Sequence, residues 1–123
     1  LLTWMHQKKI DYTNTFCHLM NNKKDKKYED SDFQNWKKRW KERLLINNNK
    51  SEKSMKLMRS TNPLIIPRNH KVEEALRATE QGNLKPINQL LDILSKPYTE
   101  QENILNYQSP SNQNEKYQTF CGT

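Results

Sequence analysis

The chain has 123 residues, of which 33% are hydrophobic and 28% are charged, and its formal net charge is +7. A chain of this length predicts a single domain. Its mean hydropathy of −1.17 and the lack of any apolar run near the roughly 18 residues needed to cross a bilayer exclude a transmembrane span, so we expect no membrane partner. Only two residues are glycine, which argues against Gly-rich phosphate loops and tight hairpins and favours an all-α fold.

The positive charge belongs to the first half of the chain. Residues 1–59 hold 15 Lys and Arg against 7 Asp and Glu, a net +8, whereas residues 60–123 hold 6 against 7, a net −1. A surface of this charge attracts nucleic acid or an acidic protein, and it is equally typical of a solvated helical surface.

The first helix is predicted over about residues 1–20, because apolar side chains recur there at steps of three and four or their multiples. They are Leu1, Met5, Tyr12, Phe16, Leu19 and Met20. The polar run over residues 21–30 has no such period and predicts a loop.

A second helix is predicted to begin at Ser31, which forms a capping-box pattern with Gln34. One face of this helix is apolar and carries three aromatic rings, at Phe33, Trp36 and Trp40, followed by Leu44. This is the strongest amphipathic pattern in the chain. The asparagines that begin at Asn47 are typical of a helix end.

The next two segments are a short helix and an apolar connection. The third helix is predicted over about residues 51–59, with Met55 and Met58 on it. Two prolines between residues 62 and 69 disfavour helical backbone at and before their positions, so this stretch predicts an extended crossover.

A helical hairpin is predicted next. Its first helix covers about residues 70–81 and stops at Gly82, and its second has Pro86 in the first turn and ends before Pro97. The predicted inner faces carry Val72, Ala75, Leu76 and Thr79 on one helix and Ile87, Leu90, Leu91 and Leu94 on the other.

The chain becomes polar after Tyr98. We therefore predict a helical domain over residues 1–98 and a polar tail over residues 99–123, which is disordered or draped over another surface because it has few apolar anchors. The predicted fold is all-α, an irregular bundle of about five helices with a final helical hairpin and an extended tail.

No pattern of catalytic or metal-binding residues is visible in the sequence. The two cysteines, Cys17 and Cys121, have no second Cys or His at metal-ligand spacing, so we predict no zinc site. Cys17 falls in a helical pattern and is interpreted as a small buried residue, whereas Cys121 lies on the tail with an accessible thiol. This cysteine usage predicts a reducing, intracellular compartment.

The basic aromatic helix offers two interpretations. Its cations and tryptophans could bind phosphates and stack on bases, but Trp36 and Trp40 share the apolar stripe, so core packing is favoured over nucleic-acid binding. Arg39 and Arg43 lie four residues apart and suit carboxylates on whatever this helix packs against. If the aromatic stripes are partly exposed, the isolated chain would self-associate.

Short motifs in a fixed order give the sequence a family resemblance. They begin with Asp11-Tyr12-Thr13 and Phe16, Trp36-x-x-Arg39-Trp40-x-x-Arg43-Leu44, and Met58-Arg59 before Asn62-Pro63 and Arg68-Asn69. They continue with Val72-Glu73-Glu74-Ala75, Glu80-x-Gly82-Asn83, and Leu90-Leu91 before Pro97-Tyr98-x-Glu100-Gln101. In this order they resemble the C-terminal region of the selenoprotein O family of pseudokinase-like protein adenylyltransferases.

The resemblance implies a longer protein with a kinase-like body that binds ATP with magnesium or manganese and transfers AMP to hydroxyl groups of protein substrates. The family's catalytic and metal-binding residues lie upstream of the matched region, so it implies a non-catalytic domain without a cofactor, which braces that body in the bacterial cytoplasm. The small basic helical module that binds nucleic acid or an acidic protein remains the alternative.

The resemblance also implies roles for three residues. Cys121 matches the family's redox position near the C-terminus, which bacterial relatives can pair with a cysteine of the kinase-like domain. Arg68 and Asn69 match family positions that would contact the kinase-like body. For Arg68 a second interpretation stays open, in which it caps helix carbonyls beside the crossover.

Overall fold

The computed structural model describes residues 1–21, 24–46 and 51–111, and within these ranges every regular element is helical. The elements are α1 (Leu2–Lys8), α2 (Tyr12–Asn21), a 3₁₀ turn (Lys26–Glu29), α3 (Ser31–Ile46), α4 (Ser51–Thr61), α5 (Asn69–Glu80), α6 (Lys85–Leu94) and α7 (Ile104–Gln108). The predicted all-α fold is confirmed. The described ranges hold more helices than the five expected.

The chain divides into two compact units. The first contains Leu1–Ile65 with Pro97–Glu100, and the second contains Ile66–Lys96 with the chain from Gln101 onward. The predicted division into a domain over residues 1–98 and a tail over residues 99–123 stays a prediction.

The continuous first helix predicted over residues 1–20 is wrong, because the chain breaks between α1 and α2. Lys9 adopts a left-handed conformation with φ of 52°, and the amide of Ile10 donates to the carbonyl of Met5. The Asp11 carboxylate then accepts a hydrogen bond from the amide of Asn14 at 2.8 Å, which caps the start of α2. The spacing of apolar residues alone does not reveal such a break, because the apolar residues after it continue the spacing of those before it.

The predicted second helix is confirmed as α3, but its predicted cap is wrong. The Asp30 carboxylate accepts from the amides of Asp32 at 3.0 Å and Phe33 at 3.3 Å, so the cap lies one residue before Ser31. The Gln34 side chain donates instead to the carbonyl of Tyr28 at 2.6 Å. Because a carboxylate accepts strongly and favours a helix N-terminus, Asp30 replaces the weaker hydroxyl cap.

An aromatic core holds the first unit together. Trp4, Tyr28 and Phe33 are buried with Met5 and Leu19. The ring centroids of Trp4 and Phe33 lie 4.8 Å apart, and those of Tyr28 and Phe33 lie 5.1 Å apart. Phe33 is fully buried, and burying such a side chain contributes about 1.5–3 kcal/mol. The core therefore joins α1, α2, the 3₁₀ turn and α3.

The third predicted helix and the crossover after it are confirmed. α4 ends at Thr61, two residues beyond its predicted end. The segment that follows has no regular structure before α5 begins at Asn69, and its Leu64 and Ile65 are buried. The amide of Leu64 donates to the carbonyl of Pro97 at 2.8 Å, so the crossover is paired within the first unit.

The predicted hairpin of α5 and α6 is confirmed in the second unit. Gly82 ends the first of these helices with φ of +82°, a conformation that favours glycine. Ala75, Leu90 and Ile93 are buried.

Two residues predicted to face inward in this hairpin do not. Leu76 is 48% exposed and Leu91 is 60% exposed. Neighbouring residues on a helix point about 100° apart, so a face centred on Ala75 or on Leu90 turns the next leucine outward.

The described part of the predicted tail contains a short helix. Ile104 is buried at the start of α7. The Gln101 side chain donates to the carbonyls of Ile93 and Lys96, each at 2.9 Å, which ties the segment before α7 to the end of α6. The polar composition of residues 99–111 did not predict this helix.

Candidate functional site

The candidate site is an open groove between α1 and α3. Its volume is about 700 Å³. It is lined from α1 and the residue before it by Leu1, Thr3, Trp4 and Gln7, and from α3 by Asp32, Asn35, Trp36, Lys38, Arg39 and Glu42. The groove therefore combines aromatic surface with side chains of both charges.

The tryptophans predicted on the apolar stripe of α3 pack against the core and also reach the surface. The rings of Trp36 and Trp40 are stacked, with centroids 6.0 Å apart and an interplanar angle of 8°. The centroid of Phe33 lies 6.0 Å from that of Trp36. Both tryptophans are half-buried. They serve the aromatic core and leave part of each ring accessible to a partner.

Asp30 holds Trp4, one of the residues that line the groove, in place. Its carboxylate accepts from the indole nitrogen of Trp4 at 2.9 Å and pairs with the Lys8 ammonium at 3.0 Å. Lys8 lowers the pKa of Asp30 below its usual range, and the hydrogen bonds from Trp4 and from the Phe33 amide act in the same direction. The sequence patterns considered above did not single out Asp30. The signal that could have revealed it is an aspartate immediately before a strong amphipathic helix.

The α3 helix carries cations that other described residues do not neutralise. Arg39 and Arg43 are exposed, and neither forms an ion pair with another residue in the described ranges. Partial burial, together with the nearby charge of Lys41, lowers the pKa of Lys37. The two arginines are thus available to carboxylates of a partner, and their pairing with one stays a prediction.

The two other predicted contact residues, Arg68 and Asn69, lie in the second unit. The guanidinium of Arg68 donates through Nη2 to the carbonyl of Gln108 at 3.1 Å. Gln108 is the last residue of α7, so the helix-capping interpretation of Arg68 describes this contact. Asn69 is exposed at the start of α5. Whether either residue contacts a kinase-like body stays a prediction.

The structure describes Cys17 but not Cys121. The Cys17 thiol is half-buried and lies 3.7 Å from the carbonyl oxygen of Pro63 and 3.8 Å from that of Leu64. Cys121, the predicted redox residue, lies outside the described residues.

The described ranges contain no group of three or more His, Cys, Asp or Glu side chains that could hold a metal ion. In these same ranges no helix combines the length and apolar character that a membrane crossing requires.

His18 has a packing role that its sequence position did not specify. Its ring stacks on Tyr28 with centroids 3.9 Å apart and an interplanar angle of 13°. Burial raises the pKa of the Tyr28 phenol, whose oxygen lies 3.4 Å from the hydroxyl of Thr15. His18 and Thr15 therefore both contact Tyr28 within the first unit.

The described residues form an all-helical fold whose groove combines aromatic surface with side chains of both charges. The family model described as protein adenylyltransferase SelO matches residues 1–95. The chain belongs to the SelO family.

Curated relatives agree with this family. The chain is 49% identical to the protein nucleotidyltransferase YdiU of Pelagibacter ubique and 43% identical to that of Nitrosococcus oceani. It is 39% identical to the YdiU protein of Clostridium beijerinckii. Each match covers 100% of this chain and 26% of the relative, so the chain spans about a quarter of their length. No solved structure matches the chain.

Proposed function

We propose that this chain is the non-catalytic C-terminal helical domain of a SelO-type protein adenylyltransferase. The longer protein would transfer AMP from ATP, with magnesium or manganese, to hydroxyl groups of its protein substrates. The observation that carries this proposal is the family match over residues 1–95, combined with relatives named nucleotidyltransferases of which the chain spans 26%.

In this proposal the domain braces the kinase-like body. The exposed guanidinium groups of Arg39 and Arg43 support such a role, because they would form charge-assisted hydrogen bonds with carboxylates across an interface. Trp36 adds accessible aromatic surface in the groove beside Arg39. Asn69, exposed at the start of α5, and Arg68 are the proposed contacts from the second unit.

The activity test compares this chain with a longer protein that also contains the kinase-like region. Both are incubated with labelled ATP and magnesium or manganese, and label transferred to protein is measured. We expect transfer only by the longer protein, since this chain would supply no catalytic group. AMP transfer by the 123-residue chain alone would contradict the proposal.

We further propose that Cys121 is a redox-regulatory residue of the longer protein, which would act in the cytoplasm. A cysteine near the chain terminus can form a reversible disulfide with an upstream cysteine. Replacing Cys121 with serine in the longer protein should abolish the difference in AMP transfer between oxidising and reducing conditions. Cys17→Ser is the matched control and should leave that difference unchanged. An unchanged difference in Cys121→Ser would contradict the role.

The alternative is a small basic helical module that binds nucleic acid or an acidic protein, and the exposed cations of α3 favour it. For nucleic acid it predicts tight oligonucleotide binding whose affinity falls steeply as salt rises. The brace proposal predicts weak oligonucleotide binding without sequence preference.

A further inference from the structure

The outward face of α4 places an exposed leucine among lysines. Lys53, Lys56, Leu57 and Ser60 are spaced at three, four and seven residues, so they share one side of the helix. Together with Ser54 they line a cavity of about 320 Å³. Leu57 is 66% exposed. An aliphatic side chain therefore lies at the centre of a small basic surface.

The last turns of α3 repeat this arrangement. Lys38, Lys41 and Leu45 are spaced at three and seven residues and share a side of α3 away from the Phe33 stripe. Leu45 is 72% exposed. The adjacent Ile46 is also exposed. Single exposed aliphatic residues are ordinary, but here two packed helices of the same unit each expose a leucine beside lysines.

The segment that contains α3 and α4 carries a strongly one-sided charge. Residues 31–61 hold nine Lys and Arg against three Asp and Glu, a net +6, whereas residues 69–94 hold three against four, a net −1. Lys41, Lys53 and Lys56 form no ion pair with another residue in the described ranges. A partner with negative charge would therefore meet no competing carboxylate contact at these lysines.

We propose that the outward face of α4 binds an acidic amphipathic protein segment. An aliphatic side chain of the segment would cover Leu57, and its carboxylates would pair with Lys53 and Lys56. This is the helix-on-surface mode of peptide recognition. The proposal does not depend on the family or on the function proposed for the longer protein.

The composition of the surface favours this partner over two others. A nucleic acid would neutralise the lysines through its phosphates but would leave Leu57 exposed. A second copy of the chain that presented this same face would bring the same positive charge to the contact, and like charges oppose association. An acidic amphipathic segment satisfies both features of the surface.

The test uses three synthetic helical peptides of about 16 residues, labelled with a fluorophore. The first has leucines at helical spacing among glutamates, the second has serines in place of those leucines, and the third has lysines in place of the glutamates. Binding to the full chain is measured by fluorescence anisotropy at about 50 mM salt. We expect the acidic leucine peptide to bind at least about tenfold more tightly than either of the others, since one buried leucine contributes at least about 1.4 kcal/mol.

Variants of the chain then locate the site. Leu57→Ser should weaken binding of the acidic leucine peptide about tenfold, and Lys53→Glu with Lys56→Glu should weaken it at least as much. The matched controls lie in the second unit. Leu105→Ser removes a leucine that is also 66% exposed, and Lys85→Glu reverses an exposed lysine of α6. Neither control should change affinity more than about twofold, and circular dichroism checks that each variant is folded.

Three outcomes would overturn the proposal. The first is equal affinity for the leucine and serine peptides. The second is an equal loss of affinity in Leu57→Ser and Leu105→Ser. The third is tighter binding of an oligonucleotide of matched charge, unaffected by Leu57→Ser, which would assign the surface to nucleic acid instead.

Discussion

The two units of this chain reach stability by different means. The first packs large aromatic rings from separate segments around Phe33, with polar contacts from Asp30 at the edge of the core. The second is built on an α5–α6 hairpin, whose buried side chains are the small Ala75 and the aliphatic Leu90 and Ile93.

The first unit is held by contacts between residues that are far apart in sequence, whereas the second is held by contacts between consecutive helices. In the first unit the Trp4 indole and the Asp30 carboxylate are joined across 26 positions of sequence. In the second, Gly82 turns the chain so that α6 follows α5 at once. Contacts between distant segments require closure of longer loops, which costs more conformational entropy. The aromatic unit therefore depends more on each of its few large side chains.

The largest expected effect comes from Phe33→Ala. Removing a fully buried ring leaves a cavity at the centre of the aromatic core, so we expect the free energy of unfolding to fall by about 3–5 kcal/mol. Urea denaturation monitored by tryptophan fluorescence measures this, because Trp4, Trp36 and Trp40 all lie in the first unit. A loss below about 1 kcal/mol would show that the ring is not central.

A smaller effect is expected in the hairpin, from Leu90→Ala. The side chain is buried, and its truncation should lower stability by about 2–4 kcal/mol. Amide hydrogen exchange in α5 and α6 measures the change. Leu91→Ala is the matched control. Leu91 is next to Leu90 in sequence but is 60% exposed, so its truncation should change the protection by less than about 0.5 kcal/mol. Equal effects from the two leucines would contradict the observed hairpin face.

The turn of the hairpin should respond more weakly. Gly82→Ala introduces a Cβ atom that meets nothing within 4 Å, so its cost comes from the positive φ alone. We expect a loss of about 1 kcal/mol, measured by the same exchange protection. No loss at all would indicate that this position does not require the left-handed conformation.

The smallest effect expected at neutral pH is that of Asp30→Asn, which keeps an acceptor for Trp4 but loses the ion pair with Lys8. The informative quantity is its pH dependence. Because the folded pKa of Asp30 is lowered, its contribution to stability is present above the ordinary value of 3.8 and disappears as pH falls through the folded pKa. The variant should therefore lose less stability than the wild type between neutral and acid pH. An unchanged acid profile would contradict the role of Asp30.

Periodicity predicted the local elements of both units. The stripe of Phe33, Trp36 and Trp40 predicted α3, and Gly82 with Pro86 predicted the hairpin. These signals work because helix faces and turn conformations are set by residues close in sequence. The resemblance in motif order then predicted the family that the comparison shows.

The remaining features depend on competition between nearby groups or on tertiary contacts. Asp30 replaced Ser31 as the cap because two acceptors were available and the carboxylate also met Lys8 and Trp4. The apolar residues before and after the break at Lys9 keep the spacing of one helix, so their spacing alone could not reveal the break. Of the predicted contact residues, Arg39 and Arg43 are exposed, and their pairing with carboxylates of a partner stays a prediction. The contact of Arg68 with Gln108 joins residues 40 positions apart, which no local pattern could predict.

The central claim is that this chain supplies no nucleotide chemistry of its own within the SelO family. Isothermal titration of the 123-residue chain with ATP and magnesium tests it most directly, with a full-length SelO-family adenylyltransferase as the positive control. We predict saturable heat for the full-length protein and none for this chain. Saturable, magnesium-dependent ATP binding by the chain alone would contradict the account.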